Sequence, residues 1–410
     1  MKIIFICHRI PYPPNKGDKI RSYNLLKYLS SHHDIYLFCQ IDDSKDIEHI
    51  ASVDTLVKNV FFDVINPEFK KITSSTALLR GRPISIRYFY STKLQNQLDD
   101  LLDRKFVDMI FCFCSPTAEY VFRSRHYRKG LRGVACVMDL VDVDSEKWRD
   151  YAAKTRWPLS MIYSMEARFL ARYEAMIAEN FDQIFLVSEP EKALFLQKNK
   201  ANNVMALSNG VDLDYFSPDY KPQIEGKSPA LVFTGAMDYW PNIDGVAWFA
   251  TEVFPKIREE FPTATFFIVG GNPAPEVKSL SRIDGIKVTG FVKDVRDFVA
   301  IADACVVPLR IARGIQNKIL EAMSMGKPVV TTSKALEGIN AIEDKEVILA
   351  NDASEFAIKV IKLLSDKTFA SVVGSNARKC VEENYTWENS YTLLSNTLSS
   401  LRLVSHKNNQ

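Results

Sequence analysis

Residues 310–330 read RIARGIQNKILEAMSMGKPVV, and this stretch joins a strand end, a glycine turn, a helix start and the next strand. The apolar run before it, residues 303–308, ends in a proline, as expected of a buried parallel strand that leaves its sheet. Gly314 permits a sharp turn. Apolar side chains then recur at helical spacing at Ile315, Ile319, Leu320 and Met323. Gly326 ends the helix, so the stretch predicts one strand–turn–helix–strand unit of a parallel α/β sheet.

The predicted helix start is a candidate anion site. Its first backbone N–H groups lack partners and carry partial positive charge, which suits a phosphate or diphosphate. Lys318 falls in the first turn, where a bound anion would offset the unfavourable interaction with the helix dipole. Glu321, one turn further on, could accept two hydrogen bonds from ribose hydroxyls. An ordinary solvated i,i+3 ion pair explains the same spacing, and the sequence leaves both alternatives open.

The same residues carry a family resemblance. The stretch resembles the donor-site motif of glycosyltransferase family 4, retaining enzymes of the GT-B fold, in which Glu-x7-Glu runs into Glu-Ala-Met-x-x-Gly-x-Pro-Val-Val. Glu321 matches the second glutamate, which in the family binds the nucleotide ribose. The first glutamate contacts the sugar and should stand at 313, where this chain has Arg313. A subgroup of the family has Gly-Thr-Arg-Leu-Lys-x-Leu-Glu here, and Lys318 matches its lysine.

The resemblance implies a donor site built on several loops of the second half. The family's arginine and lysine that bind the diphosphate after Gly235 are missing, since the chain has Ala236, Met237 and Asn242 there. Lys318, Arg313 and either Lys16 or Lys19 are expected to replace them, with Lys318 and Arg313 nearest the chemistry. The remaining residues implied to bind the donor are Gly314, Ile315, Gln316, Asn317, Gly235, Met237, Phe291 and Val292.

A proline-rich loop follows the first predicted strand. It reads HRIPYPPNKGDKIR at residues 8–21, and Gly17 stands just before a predicted helix. Ligands of open parallel sheets bind at this edge, so Gly17 would let a substrate approach the backbone. In family 4 enzymes a similar glycine loop faces the donor phosphate, which implies donor contacts for Gly17 and Lys16.

Three aspartates cluster in the loop MDLVDVDSEKW at residues 138–148. Asp139, Asp142 and Asp144 are compatible with a metal site, and equally with helix capping near Asp144 or Ser145. The family resemblance implies no metal. It places a sugar-contacting histidine here, and because this chain has none, Asp139 or Asp142 is expected to take that position.

Strand-like and helix-like segments alternate through the whole chain, which predicts an α/β fold with parallel sheets. The predicted elements include a first buried strand at Lys2–Cys7, a helix at 244–260, and a helix that starts with a capping box of Ser188 and Glu191. The resemblance implies the GT-B fold, two Rossmann-like doubly wound domains facing across a cleft, with a C-terminal helix crossing back. The Asn209-Gly210 turn and a polar linker place the boundaries at 1–208, with 386–410 packing back, and 229–385. A long helix at 158–180 shows one apolar stripe that is interpreted as core: Met161, Met165, Phe169, Tyr173, Met176 and Ile177.

Charge and composition limit where the protein acts. The chain has 410 residues and a formal net charge of +2, and its apolar start at residues 1–8, soon broken by Arg9 and Pro11, is too short for a membrane span or a signal peptide. Seven cysteines without a Cys-x-x-Cys pair indicate buried thiols in a reducing cytosol. The basic stretches at 79–90 and 123–132 are candidate contacts with a membrane or an anionic acceptor, against the alternative of a solvated surface. We therefore expect a cytoplasmic protein, peripheral at the inner face of the cytoplasmic membrane, without nucleic-acid binding.

The motifs PPNKGDKIR, DVDSEKW and ARGIQNK also resemble bacterial sugar transferases associated with exopolysaccharide and the PEP-CTERM/exosortase system. This resemblance implies a retaining, metal-independent hexosyltransferase without a cofactor. Its donor would be a nucleotide diphosphate sugar, and its acceptor a lipid-linked or growing saccharide. A non-catalytic GT-B nucleotide-binding or scaffold subunit is the main alternative, because several of the family's usual residues are replaced. A dinucleotide oxidoreductase is disfavoured, since no Gly-x-Gly-x-x-Gly follows the first strand.

Overall fold

The structure is a computed structural model that describes residues 1–104, 107–127, 131, 133–226 and 229–407, and for residues 402–407 only the helical backbone. It divides into two compact units. The first comprises Met1–Leu207 and Tyr391–Gln410, and the second comprises Ser208–Ser390.

In the described part of the first unit, seven parallel strands form one sheet in the order β3-β2-β1-β4-β5-β6-β7. They are β1 (Lys2–Cys7), β2 (Asp34–Ile41), β3 (Asn59–Val64), β4 (Met109–Phe113), β5 (Ala135–Val141), β6 (Gln183–Leu186) and β7 (Val204–Ala206). The helices are α1 (Gly17–His32), α2 (Ile50–Asp54), α3 (Pro67–Ser75), α4 (Ile84–Tyr88), α5 (Thr92–Arg104), α6 (Ala118–Arg123), α7 (Asp144–Lys154), α8 (Leu159–Asn180) and α9 (Glu189–Leu196). Strand β1 lies inside the sheet, between β2 and β4. Because helices cover both faces of the sheet, the side chains of β1 from Ile3 onward are buried without alternation.

The described part of the second unit repeats this plan with six strands in the order β10-β9-β8-β11-β12-β13. They are β8 (Ala230–Thr234), β9 (Thr265–Val269), β10 (Ile286–Gly290), β11 (Ala304–Val307), β12 (Val329–Thr331) and β13 (Ile348–Leu349). The helices are α10 (Trp240–Trp248), α11 (Phe254–Glu260), α12 (Pro275–Ser279), α13 (Arg296–Ile301), α14 (Asn317–Ser324), α15 (Ser333–Leu336), α16 (Ala353–Ser365) and α17 (Lys367–Asn384). Helix α18 (Trp387–Lys407) starts in this unit, and its residues from Tyr391 onward belong to the first unit. Two parallel-sheet units of this kind confirm the predicted α/β fold class.

Three details differ from the sequence prediction. The helix predicted at 244–260 begins earlier, at Trp240, and is interrupted by a π-helical turn at Phe249–Val253. The turn precedes Pro255, which has no N–H to continue the helical ladder. Strands β7 and β13 are too short for a periodic pattern and were not predicted.

The third difference concerns helix α8. Its stripe of methionines and aromatics was predicted to be core, but Met161 and Met176 are 52% and 46% exposed. The prediction was wrong for these two residues, because helical spacing alone does not show how wide a strip of the helix the sheet covers.

No described helix is long and apolar enough to cross a membrane.

Candidate functional site

Close backbone contacts between glycines shape the end of strand β8 and the turn before α14. A Cβ added to Gly270 would lie 1.7 Å from the carbonyl oxygen of Gly235, and one added to Gly338 would lie 2.5 Å from that of Gly314. Gly314 itself has φ of +61°, in the left-handed region that favours glycine. These positions therefore require glycine: Gly270 lets the exits of β8 and β9 approach each other, and Gly338 lets the segment after α15 approach the turn before α14.

Lys318 lies in the first turn of α14 and reaches the end of β8. Its Nζ donates a hydrogen bond of 2.8 Å to Oδ1 of Asn242 and lies 4.6 Å from the centre of the Phe233 ring. A Cβ added to Gly235 would lie 3.2 Å from the same nitrogen. The ammonium group is thus held at the carboxyl ends of β8 and β11, where ligands of parallel sheets bind.

Glu321 is half-buried one turn after Lys318. Among the described residues its carboxylate accepts no hydrogen bond, and its main electrostatic partner is Lys318. A half-buried carboxylate of this kind is costly to hold without donors, so it is suited to accept hydrogen bonds from a ligand.

Burial favours the uncharged form of both side chains and so shifts their pKa values. Desolvation lowers the pKa of Lys318 to about 8, although Glu321 opposes the shift. Desolvation likewise raises the pKa of Glu321 to about 7, against the effect of Lys318. An ordinary solvated ion pair would not be shifted in this way, so the geometry favours the candidate-site interpretation over a surface pair.

Asn242 is the residue that sequence reasoning missed. It was noted only as the replacement for a basic residue, but its buried amide joins two parts of the site. Its Nδ2 donates to the carbonyl of Ala236 at 2.8 Å, and its Oδ1 accepts from Lys318. The signal available in the sequence was its position in the loop after β8. Its role depends on a contact with Lys318, 76 residues further along the chain.

The turn before α14 holds the other predicted donor residues of this segment. Gln316 precedes the helix without capping it, because its Nε2 donates to the carbonyl oxygen of Arg313 at 2.9 Å. Asn317 Oδ1 accepts a 3.0 Å hydrogen bond from Asn209 of the Asn-Gly turn. Ile315 packs against the core of the unit, and Gly314 forms the turn. The donor roles predicted for these residues and for Arg313 remain predictions.

The structure treats Phe291, Val292 and Met237 differently. Phe291 is 83% exposed and adjoins Gly271, so its ring is available to a ligand at the end of β10. Val292 is half-buried against the core. Met237 is fully buried, its backbone N–H donates to Gly271, and its carbonyl accepts from Ala274. The geometry therefore gives Met237 a packing role, and direct donor contact has no support at this position.

In the first unit, the predicted glycine loop leads into helix α1, which starts at Gly17. A Cβ added to Gly17 would meet no described atom within 4 Å, which is consistent with open space for a ligand. Lys16 is exposed. Lys19, the alternative cation, is buried and donates to Asp46 at 2.6 Å, so it is already neutralised. Of the two lysines, the geometry favours Lys16 for binding an anion.

Asp18 anchors the same loop. Burial raises its pKa, but a 3.2 Å hydrogen bond from His8 Nε2, Arg9 and the backbone N–H of Lys19 together hold that pKa well below its usual range. The ionised carboxylate therefore fixes the end of β1 against the first turn of α1.

Asp139 was predicted to contact the sugar, but the structure places it in a closed internal pair. Its two oxygens accept hydrogen bonds of 2.8 and 3.1 Å from Arg21, and both side chains have 0% exposure. Arg21 also donates to the carbonyl of Leu207 at 2.8 Å. Burial raises the pKa of Asp139, and Arg21 partly offsets the shift. The geometry gives Asp139 a structural role, and its predicted contact with a sugar has no support here.

The alternative of a metal site on the three aspartates gains no support. Within the described ranges, no cluster of three His, Cys, Asp or Glu side chains could hold a metal ion. Asp144 stands in the first turn of α7 and accepts a 2.6 Å hydrogen bond from Ser115 Oγ.

Comparison with known proteins identifies relatives of both the second unit and the whole chain. Residues 228–366 match the family model described as "Glycosyl transferases group 1". An "Uncharacterized 44.6 kDa protein in cps region" of Klebsiella pneumoniae is 22% identical over 403 residues, which cover 94% of this chain and 96% of that protein.

Solved structures share the fold over nearly the whole chain. Sucrose-phosphate synthase from Thermosynechococcus elongatus superposes with a TM-score of 0.74 at 16% identity, covering 98% of this chain and 100% of its own. Anabaena HepE in complex with UDP-glucose gives a TM-score of 0.64 at 15% identity, with coverage of 98% and 100%. The structural likeness shows the GT-B fold for this chain, and the match to the group 1 model is confined to residues 228–366.

Proposed function

We propose that the chain is a retaining hexosyltransferase that moves a sugar from a nucleotide diphosphate sugar to a lipid-linked or growing saccharide. The observation that carries this proposal is the pair at the start of α14. The Glu321 carboxylate, which accepts no hydrogen bond from a described residue, would bind the ribose hydroxyls, while Lys318 and the uncapped helix start would bind the diphosphate.

The same cation would assist the reaction, because negative charge develops on the diphosphate as the bond to the sugar breaks. A preorganised ammonium group and helix N–H groups stabilise that charge without a metal ion or cofactor in this proposal. Arg313, in the position of the family's sugar-contacting glutamate, would lie beside the donor sugar. Phe291 and Val292 would border the nucleobase.

A uridine nucleotide is the first donor to test, since the similar Anabaena protein was solved with UDP-glucose. The likeness to a cps-region protein supports a role in exopolysaccharide or cell-envelope glycan synthesis, and the PEP-CTERM/exosortase association belongs to the same proposal. We place the reaction in the cytoplasm, at the inner face of the cytoplasmic membrane.

The test begins with donor binding, using wild type, Glu321→Ala and the exposed control Glu259→Ala. Each is titrated with uridine, guanosine and adenosine diphosphate sugars while the midpoint of thermal unfolding is followed. We expect one nucleotide class to raise the midpoint of wild type and control, and Glu321→Ala to lose that increase. No increase with any nucleotide in wild type would refute the donor site.

Turnover separates the enzyme from the alternative of a non-catalytic nucleotide-binding subunit. With the identified donor and a lipid-linked saccharide fraction, we expect release of nucleoside diphosphate that EDTA does not reduce. The anomeric proton coupling of the product should show the configuration of the donor. Tight donor binding without turnover on any acceptor would favour the scaffold alternative, and an inverted product would refute retention.

A further inference from the structure

The turn between α7 and α8 in the first unit exposes a group of large apolar side chains. Trp157 is 78% exposed, Leu159 is 48% exposed and Met161 is 52% exposed. In residues 151–165 the charged side chains are Lys154 and Arg156, both basic and both exposed. The tip of this helical hairpin is therefore apolar and positively charged.

Helix α8 sorts its charges between its two faces. Glu166 and Glu174 point into the unit, where they are almost fully buried. Glu166 accepts hydrogen bonds from the backbone N–H groups of Ile84 and Ser85, and Glu174 accepts from Ser145. The carboxylates of the helix centre are thus used internally, as anchors for the starts of α4 and α7.

The outer face of α8 carries the cations. Arg168 and Arg172, one turn apart, are exposed and have no hydrogen bond or ion pair with any described residue. They border a surface groove of about 380 Å³, floored by Ala167 and Ala171, with Arg149 of α7 on its other side. Two unpaired like charges at this spacing repel each other, so an anionic partner would stabilise this face.

Of the two basic stretches named from the sequence, residues 123–132 are less available. Arg123 is paired with Glu119, and Arg125 with Asp100 and Asp103. Residues 128–130 and 132 of that stretch lie outside the described residues. This pairing shifts the expected contact from residues 123–132 to the hairpin.

We propose that the α7–α8 hairpin docks on an anionic lipid bilayer, with Trp157, Leu159 and Met161 at the headgroup level and Arg168 and Arg172 on acidic headgroups. Tryptophan and aliphatic side chains gain from partial burial at this interface, and each Lys or Arg near an anionic membrane adds further attraction. A soluble polyanion would satisfy the arginines but leave the apolar tip exposed. The inference deepens the peripheral membrane contact in the proposed function, and its test uses neither donor nor acceptor.

The experiment is vesicle co-sedimentation of the full chain. Vesicles of phosphatidylcholine alone are compared with an equal mixture of phosphatidylcholine and phosphatidylglycerol, at low and high salt. The variants are Arg168→Gln/Arg172→Gln and Trp157→Ser/Leu159→Ser/Met161→Ser. The control Lys278→Gln/Arg282→Gln removes a similarly spaced exposed basic pair from the second unit.

We expect wild type and control to bind the anionic vesicles, with weaker binding at high salt. The arginine variant should bind about thirtyfold less tightly, since each cation near the surface contributes about fivefold. The apolar-tip variant should also lose affinity, and tryptophan fluorescence of the wild type should shift to the blue on binding. Thermal unfolding must show that both variants remain folded.

If the control substitutions weaken vesicle binding as much as the arginine substitutions do, the assignment of this face is refuted. Capture by a soluble polyanion, with no binding to anionic vesicles, would also refute it. Because nucleotide-induced stabilisation is measured separately, failure of membrane docking leaves the donor-site test unaffected.

Discussion

Glu321→Gln is the substitution that most directly tests whether α14 holds its carboxylate for a ligand. The pKa of Glu321 rises from its ordinary value of 4.5 to about 7 because burial penalises the charged form. The folded protein therefore binds this proton more tightly than the unfolded chain. Stability contributed by the protonated group is present below pH 4.5 and is lost as the pH rises to about 7.

The magnitude follows from the same shift. A tenfold change in proton affinity is worth about 1.4 kcal/mol, so ionised Glu321 costs about 2 to 3 kcal/mol above pH 7, allowing for its partial exposure. Glutamine keeps the shape of the side chain and removes this charge. We expect the ligand-free variant to unfold about 4 to 10 °C above wild type at pH 8, with little difference at pH 4.5, if the second unit unfolds cooperatively.

The assay is thermal unfolding across this pH range, with and without the nucleotide that binds wild type. Glu259→Gln, an exposed carboxylate of the same unit, is the matched control. Glu321→Gln should be more stable without nucleotide yet lose most of the nucleotide-induced increase. If the variant is no more stable than wild type at pH 8, the ionised Glu321 carboxylate does not destabilise the ligand-free protein. Retained nucleotide stabilisation would remove Glu321 from the donor site.

Three further predictions concern the contacts around the two candidate regions. Asn242→Ala should destabilise the protein by about 2 to 3 kcal/mol and weaken nucleotide binding, because it removes the hydrogen bonds that Asn242 makes with Lys318 and with the Ala236 carbonyl. Urea unfolding checks the loss of stability, and calorimetric titration checks the nucleotide binding. Nucleotide affinity of wild type should fall as the pH rises through about 8, where Lys318 loses its proton, whereas Lys318→Arg should keep its affinity to higher pH; unchanged wild-type affinity at pH 9 would contradict this. Arg21→Met should lower the free energy of unfolding by about 3 to 5 kcal/mol, because it leaves Asp139 buried and unpaired, and Arg21→Met/Asp139→Leu should recover much of that loss. A double mutant that is folded but has no turnover would support a role for Asp139 at the sugar.

The sequence specified the fold through local chemistry. The apolar run Lys2–Cys7 was predicted with the bounds that the structure shows, because a strand covered on both faces reads as a nearly continuous apolar run. Ser188 was predicted as a helix cap, and it accepts the expected hydrogen bond from the backbone N–H of Glu191. The positions of Lys318 and Glu321 on one helix also followed from spacing alone.

The tertiary structure alone decided which of these residues are free for a ligand. Asp139 and Lys19 looked available in the sequence, but Arg21 and Asp46 neutralise them through contacts between separate segments. The sequence shows Asn242 only as the replacement for a basic residue. In the structure its Oδ1 accepts a hydrogen bond from Lys318. Pairing, burial and exposure depend on residues distant in the chain, and local spacing carries no information about those partners.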